Sequence, residues 1–473
     1  MKKTSKWLIL TLLTIAQFMV VLDLSVVNVA LPALRQALHF SETNLQWVIT
    51  AYALTFGGFL LLGGRAADLF GRKKTLLIGM SAFTVISLLI GTAQSSGVLI
   101  GLRALQGLAA ALMSPSALST LLVTFRDGKE RNTALGIWTS VAAGGAAVGL
   151  LLGGVLTQYF DWRWNFFINV PVGAIVALAS LKYIPTHEKE ETRRTLDLPG
   201  AALVTSGLML LVYAISQAPS WGWLNGKTLG MAAGAAALLS AFIWNESKAK
   251  HPLLPLSIFR VRNVVGANLM MAPIYAGSLG MFFLTSLYIQ TVLHYSPART
   301  GLGFVVFPIV IGNVAPRVSK LVSKVGYRRF LIAGPTIMAA GMFWLSRLPV
   351  HGTYFGSVLP ALVLIPLGMG MTMVSLTIAA TSGVPAHEAG LASGLITTSQ
   401  QMGGALGLAV LSGVAASVTK TALHPNSMPA LVHGYDRAFI AAVVFLAFAV
   451  VLAVTVIRQI TRTGNSGPIV VEA

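Results

Sequence analysis

Fourteen stretches of this sequence are long and apolar enough to cross a lipid bilayer. A hydrocarbon core about 30 Å thick requires about 20 residues of helix, because lipid offers the backbone no hydrogen-bond partner. The stretches that we predict to be membrane-spanning helices are residues 7–32, 44–67, 75–94, 97–125, 131–158, 164–184, 198–217, 228–246, 264–292, 299–323, 329–346, 354–380, 389–418 and 437–458. With 55% hydrophobic and only 10% charged residues, the chain has no segment left for a water-soluble domain. The predicted fold is an all-α integral membrane protein.

The basic residues alternate with the predicted spans. The net charge is +19, and 25 of the 33 Lys and Arg residues fall in segments that share one side of the membrane, whereas seven fall on the other side. The positive-inside rule therefore places both termini in the cytoplasm. Because this pattern accounts for the basicity, we expect no nucleic-acid partner. Cysteine is absent, so the sequence predicts neither a disulfide nor a thiol metal site.

An internal repeat relates the two ends of the chain. Gly145 and Gly149 reappear 258 positions later as Gly403 and Gly407, in the predicted thirteenth span. The repeat predicts an N-terminal six-helix bundle at residues 1–190, two inserted helices at 191–256 and a C-terminal six-helix bundle at 257–473. Parallel repeats of this kind are how one large class of secondary transporters builds a central site between its halves.

Asp23 and Arg103 are the only charged residues that fall well inside any predicted span. Both lie at similar depths below the outer ends of their helices, on a rise of about 1.5 Å per residue. An intramembrane charge costs about 2.5–3.5 kcal/mol on insertion scales, so it is usually paired and usually functional. We predict that the two side chains pair. The alternative to a proton-carrying role for Asp23 is a permanent ion pair that only holds two helices together.

Four motifs carry a resemblance to a known family. Residues 64–74 (GRAADLFGRKK), 22–32 (LDLSVVNVALP), 102–107 (LRALQG) and 162–171 (WRWNFFINVP) are similar to signatures of the major facilitator superfamily. Within it, the chain resembles the fourteen-span drug:proton antiporters of the EmrB/QacA type. One departure is Leu150, which stands where the antiporter motif of the fifth span has a proline.

The resemblance implies roles for particular residues. Asp23 and Arg103 would couple transport to protons, with Asp23 alternating between a protonated form and one paired with Arg103. The residues implied for the gating loop are Gly64, Asp68, Gly71, Arg72 and Lys73, and those for the antiporter-type helix are Gly145, Gly149, Gly153 and Gly154. Gly145, Gly149 and Gly153 recur at every fourth position, which also permits plain close packing of helices.

Polar and aromatic side chains at membrane depth are candidates for a substrate cavity. A buried polar group needs a partner, which a ligand or a neighbouring helix can supply equally well. The candidates are Gln17, Asn28, Gln106, Trp138, Asn165, Asn169, Asn268, Tyr275 and Gln400. Since the second half offers no acid within its spans, charge counting favours monocationic or neutral hydrophobic substrates.

Taken together, these features predict a proton-coupled antiporter that exports hydrophobic drugs by alternating access, not an enzyme. It would reside in the bacterial cytoplasmic membrane, work as a monomer and use the proton motive force, with no cofactor and no metal. Two alternatives are a dedicated exporter of one metabolite or lipid-like compound, and a membrane sensor or scaffold that transports nothing.

Overall fold

The computed structural model describes residues 6–125, 129–185, 197–249, 252–254, 256–382, 384, 389–424, 427–462 and 469–472. The helices in these ranges are α1 (Lys6–Ala37), α2 (Glu42–Leu45), α3 (Trp47–Phe70), α4 (Arg72–Gly91), α5 (Ser96–Thr124), α6 (Lys129–Tyr159), α7 (Trp164–Phe167), α8 (Asn169–Tyr183), α9 (Leu198–Trp221), α10 (Gly226–Lys248), α11 (Arg262–Leu287), α12 (Pro297–Phe304), α13 (Val306–Val325), α14 (Tyr327–Leu345), α15 (Leu359–Thr381), α16 (Ala389–Thr421) and α17 (Met428–Thr455).

Short elements supplement these helices. A 3₁₀-helix covers Leu256–Arg260, and π-helical turns cover Tyr288–Val292 and Tyr354–Val358. After the last helix, strands β1 (Gln459–Arg462) and β2 (Ile469–Glu472) pair in antiparallel fashion. The predicted membrane region is thus helical, as expected, and the strand pair is the departure from an all-α chain.

Among the described residues, twelve helical segments are long and apolar enough to cross a membrane. They cover all of the predicted spans except the fifth and the eleventh, which lie on α6 and α14. The apolar part of α6 is the shorter stretch Gly144–Tyr159, and α14 begins with the charged pair Arg328 and Arg329. The chain is therefore a multi-pass membrane protein, whereas the count of fourteen spans and the cytoplasmic location of the termini remain predictions.

Local chemistry fixes several helix ends. The Ser95 side chain accepts a hydrogen bond from the backbone N–H of Val98 and caps α5, and Ser427 does the same for α17. The Ser427 cap explains why α17 begins at Met428 and not at the predicted residue 437. The prediction began α17 only at the charged pair Asp436 and Arg437 in its third turn, because these residues interrupt the apolar run that starts at Met428.

The described chain divides into two compact units. Unit 1 comprises Met1–Met209, Gly234–Leu253 and Tyr295–Val305, and unit 2 comprises Leu210–Ala233, Leu254–His294 and Val306–Ala473. The predicted boundary at residues 190 and 191 lies outside the described residues. The predicted division into two bundles and an inserted pair remains a prediction.

The two units pack their helices in the same pattern. In unit 1, α1 packs against α5, α6 and α8, while α4 packs against α5 and α8, and α3 against α5. In unit 2, α11 packs against α15, α16 and α17, while α14 packs against α15 and α17, and α13 against α15. Each of these contacts in one unit has its counterpart in the other, in agreement with the sequence repeat.

Candidate functional site

A buried ion pair occupies the interior of unit 1. Asp23 on α1 and Arg103 on α5 are both completely shielded from solvent, and Arg103 Nη1 donates a hydrogen bond to Asp23 Oδ2. The two residues are 80 positions apart in sequence, so α1 and α5 must pack side by side to join them. The predicted contact is therefore present, and its role in proton coupling remains a prediction.

Neutral groups surround the Arg103 guanidinium. Its Nε donates to the backbone carbonyl of Val48 at 2.8 Å, and its Nη1 also donates to Gln106 Oε1 at 2.6 Å. The guanidinium carbon lies 4.5 Å from the ring centroid of Tyr52 and 5.8 Å from that of Phe166. Cation–π contacts of this kind are strongest when the groups are desolvated. The cation therefore has several partners besides Asp23.

Two amide side chains complete the shell of Asp23. Gln106 Nε2 donates to Asp23 Oδ1 at 2.9 Å and to Ser87 Oγ at 2.8 Å. Asn169 at the start of α8 donates to Asp23 Oδ1 at 3.2 Å. Side chains of α5 and α8 thus bind the carboxylate on α1, and Ser87 of α4 binds Gln106 behind it. Gln106 and Asn169 were predicted as substrate contacts, but in this structure their amides bind Asp23.

The other cavity candidates of unit 1 also bond within the protein. Gln17 Oε1 accepts from Ser114 Oγ at 2.8 Å, and Asn28 donates to the Leu24 carbonyl at 3.0 Å. The two that remain are Asn165, which donates to Thr157 Oγ1 at 2.7 Å, and Trp138, which is buried in the apolar core of the unit. These contacts favour interhelical bonding for Gln17 and Asn165 and leave the substrate role a prediction.

The candidates of unit 2 join α11 to α16. Asn268 Oδ1 accepts from Ser399 Oγ at 2.8 Å, while its amide donates to the Val264 carbonyl at 2.8 Å. Tyr275 is hydrogen-bonded to Gln400. Polar side chains thus bridge α11 and α16. This helix pair is the counterpart in unit 2 of the pair α1 and α6 in unit 1.

The glycines of α6 face a neighbouring helix at close range. A Cβ at Gly149 would overlap Ser25, and one at Gly153 would overlap the backbone of Val26, both on α1. Gly145 also faces α1, and a Cβ added there would lie 3.2 Å from Phe18.

A second set of contacts joins α6 to α12. Gly154 faces Pro297 and Ala298 at the start of α12, and the carbonyl of Leu150 lies against Gly301 of that helix. The repeat positions Gly403 and Gly407 on α16 likewise contact Ala272 and Ala276 of α11. These glycines therefore permit close helix packing, and their role in antiport remains a prediction.

The predicted gating loop joins α3 to α4 through Gly71. Its φ of +94° lies in the left-handed region that favours glycine. Asp68 and Arg72 flank it and form an ion pair with a 3.7 Å separation between Arg72 Nη2 and Asp68 Oδ1. Gly64 lies one turn before Asp68 and faces Pro115 of α5. A Cβ added at Gly64 would lie 3.7 Å from the Pro115 Cβ. The loop therefore brings together the acid and base that the sequence predicts.

Lys73 has a contact that sequence reasoning missed. Its Nζ donates to the Leu181 carbonyl at 2.8 Å, in the last turn of α8, where a cation satisfies an exposed carbonyl and complements the helix dipole. In unit 2, Arg328 follows Gly326, which has a φ of +84°, and its Nη2 donates to the Val454 carbonyl at 2.8 Å in the last turn of α17. The same arrangement of loop glycine and basic residue thus occurs in both units.

We expect Asp68→Asn to slow transport while leaving ligand binding intact, because the amide keeps the size of the side chain and removes its charge. The pair is partly exposed, so its loss should cost at most about 1 kcal/mol of stability. Initial transport rates and equilibrium ligand binding in purified protein would separate the two effects. Glu130→Gln is a matched control, since Glu130 pairs with Lys6 at an exposed position. Unaltered transport kinetics in Asp68→Asn would contradict a gating role.

Among the described residues, no cluster of three or more His, Asp or Glu side chains is placed to hold a metal ion. Membrane helices of unit 1 enclose the completely buried Asp23 and Arg103, and each unit has a glycine loop with a basic residue that binds a helix-end carbonyl. This combination is typical of secondary membrane transporters.

The chain belongs to the Major Facilitator Superfamily, whose family model matches residues 13–408. The family resemblance of the four motifs is thereby confirmed. The chain is 39% identical over 469 residues to the puromycin resistance protein pur8 of Streptomyces alboniger, covering 97% of this chain and 93% of that protein. It is 40% identical over 463 residues to the cephamycin export protein CmcT of Amycolatopsis lactamdurans, covering 97% and 94%.

Solved structures agree on the fold. A crystal structure of a peptide transporter in complex with sulfate superposes with a TM-score of 0.68, covering 95% of this chain and 94% of that one. The sequence identity is 16%, so this likeness establishes the fold alone and carries no statement about substrate.

Proposed function

We propose that this transporter exports hydrophobic, monocationic or neutral antibiotic-like compounds in exchange for protons. The observation that carries the proposal is the fully buried Asp23, which bonds to Arg103, Gln106 and Asn169 from two other helices. The relatives named for drug resistance and antibiotic export support efflux of small molecules as the transport activity.

Protonation of Asp23 is the coupling step in this proposal. The carboxylate takes one proton from the outer side, becomes neutral and ceases to be an ion-pair partner for Arg103. Arg103 stays solvated by the Val48 carbonyl, the Gln106 amide oxygen and the Tyr52 ring. The protein can therefore hold this cation in both states of Asp23. The change in α1–α5 attraction would then bias alternating access by rocking of the two halves.

Liposomes that enclose a pH dye test this coupling directly. Purified wild-type protein in liposomes with an acidic lumen should move protons out of the lumen when a lipophilic cation, puromycin or a neutral hydrophobic dye is added to the external solution, because an antiporter exchanges inward-moving substrate for outward-moving protons. We expect Asp23→Asn to abolish this substrate-triggered proton flux while still binding substrate, since the amide cannot take a proton at neutral pH.

Asp161→Asn is the matched control, because Asp161 is a half-exposed carboxylate paired with Arg163. It should retain wild-type proton flux. Equal flux in Asp23→Asn and the wild type would rule out the coupling role, and flux in neither would point to a facilitator or a protein that transports nothing.

A second candidate function is export of one dedicated compound. Relatives named for export of a single antibiotic, such as the cephamycin export protein, favour it. Competition experiments separate the two: many chemically unrelated competitors indicate a multidrug exporter, whereas inhibition by one structural class alone indicates a dedicated one.

A further inference from the structure

A cavity of about 470 Å³ opens on the side of unit 2 at the end of α14. The residues that line it are Phe343, Trp344, Arg347, Pro349, Gly356 and Ser357. They come from the last turn of α14, the connection that follows it and the π-helical turn before α15. On the predicted topology this is the outer end of the eleventh span. The cavity is separate from the buried cluster around Asp23, and nothing in the proposed transport function uses it.

The mouth of the cavity combines aromatic rings with one cation. Phe343 and Trp344 are 51% and 47% exposed. Trp344 Nε1 donates to the Ser357 carbonyl at 3.0 Å, so its polar atom is used inside the protein and its ring forms an apolar wall. The Arg347 guanidinium lies 5.0 Å from the Phe343 ring centroid and remains exposed. Aromatic rings beside a basic side chain are typical of the membrane–water interface.

The local charge at the cavity is positive. Arg347 and Arg437 lie near one carboxylate, Asp436, whose Oδ1 already accepts a hydrogen bond from the Leu348 N–H at 3.3 Å. Two cations against one acid leave an excess of one positive charge. The cavity therefore offers electrostatic complementarity to an anion.

The helix surface below the cavity suits a hydrocarbon chain. The exposed positions of α14 continue from Arg347 and Phe343 to Ala340 and Thr336, at the spacing of three and four residues that marks one helix face. Thr336 and Ala340 have small side chains at these exposed positions, so this face leaves room for an acyl chain beside the larger Phe343 ring.

We propose that this cavity binds one anionic phospholipid, with its phosphate on Arg347 and one acyl chain along the Ala340 face of α14. The Ser357 hydroxyl accepts a hydrogen bond from the Thr353 N–H at 3.3 Å and can donate its own hydrogen to a phosphate oxygen. A detached inorganic phosphate would use Arg347 and Ser357 alone. A phospholipid uses these two groups together with the aromatic walls and the Ala340 face of α14.

Thermal unfolding of the purified full chain in detergent tests this site. Added phosphatidylglycerol should raise the wild-type unfolding midpoint by about 2 °C or more, because a ligand that binds only the folded state stabilises it. Arg347→Gln should lose this shift. Arg317→Gln, which removes an exposed arginine of α13 that bonds to Asn313 of the same helix, should keep it. No shift in the wild type, or the same shift in Arg347→Gln, overturns the proposal.

Control ligands identify the bound group. Phosphatidylcholine with the same acyl chains, and inorganic phosphate, should each give a clearly smaller shift than phosphatidylglycerol. An equal shift with phosphatidylcholine would overturn the requirement for an anionic lipid, and an equal shift with inorganic phosphate would overturn the requirement for a lipid.

Fluorescence quenching locates the lipid independently of stability. Phosphatidylglycerol with brominated acyl chains should quench a component of the tryptophan emission that is absent in Trp344→Phe, and Arg347→Gln should reduce that component. Equal quenching of wild type and Trp344→Phe would show that no lipid resides at this cavity.

Discussion

Arg103→Gln should be among the most destabilising single substitutions in this protein, and combination with Asp23→Asn should restore most of the loss. Removing the cation alone leaves Asp23 completely buried with only neutral donors, Gln106 and Asn169. Breaking a buried pair by removing one partner costs about 3–5 kcal/mol, whereas neutralising both partners is often nearly neutral. The single variant therefore has an uncompensated buried charge that the double variant lacks.

Thermal unfolding of the detergent-purified variants would measure this difference. The midpoint should fall sharply in Arg103→Gln and return close to the wild-type value in Asp23→Asn/Arg103→Gln. Arg163→Gln is the matched control, because Arg163 pairs with Asp161 at a partly exposed position, where an ion pair contributes about 0–1 kcal/mol. A double variant as unstable as Arg103→Gln would mean that packing around the arginine, and not charge pairing, accounts for the loss.

The double variant also separates the two interpretations of the Asp23–Arg103 pair. If the pair only joins α1 and α5, a stable double variant should export substrate with normal coupling to protons. If Asp23 carries the proton, the same variant should fold and bind substrate but show no substrate-triggered proton flux. Stability and coupling thus become independent readouts on one protein.

The ion pair could be predicted from sequence because charges inside membrane spans are rare and need partners. With one acid and one base available at membrane depth, Asp23 had only Arg103 to pair with. The membrane helices were predictable for a related reason, since their apolar length has to match the hydrocarbon thickness. Neither inference depends on knowing which face of a helix a residue occupies.

The remaining partners of the pair could not be predicted in this way. Gln106 and Asn169 stood out as polar residues at membrane depth, but a sequence does not say whether such a side chain faces a cavity or another helix. Ser87 gave no signal, because serine within a helix commonly bonds to the carbonyl of its own preceding turn. Val48 contributes a backbone carbonyl, which any residue could supply.

The helix ends and the basic loop residues show a similar limit. Lys73 and Arg328 obey the positive-inside rule, and in the sequence that rule alone accounted for the placement of basic residues at these positions. Their hydrogen bonds to carbonyls at the ends of α8 and α17 depend on how distant helices pack. The α17 boundary was misplaced because a serine cap carries no hydropathy signal and the charged pair Asp436 and Arg437 interrupts the apolar run of the helix.

Gly153→Ala should destabilise the protein, although the same change at Gly144 on the same helix should not. A Cβ at Gly153 would overlap the carbonyl of Val26 and come within 3.0 Å of its Cα, whereas one at Gly144 meets no atom within 4 Å. Both changes gain up to about 1 kcal/mol in helix propensity. The difference between the stabilities of the two variants therefore isolates the cost of the close approach of α6 to α1.

Overpacking at a tight contact costs about 1–3 kcal/mol, so Gly153→Ala should lower the unfolding midpoint and Gly144→Ala should leave it equal or raise it. Gly407→Ala extends the comparison to unit 2, because a Cβ there would overlap the backbone of Ala276 on α11 and should be equally harmful. If instead Gly153→Ala kept wild-type stability but lost transport coupling, the glycines of α6 would serve the antiport mechanism and not helix packing. Since the two repeats place their glycines at equivalent crossings, α1 with α6 and α11 with α16, similar losses at Gly153 and Gly407 would mean that close packing at these crossings is a shared requirement of both units.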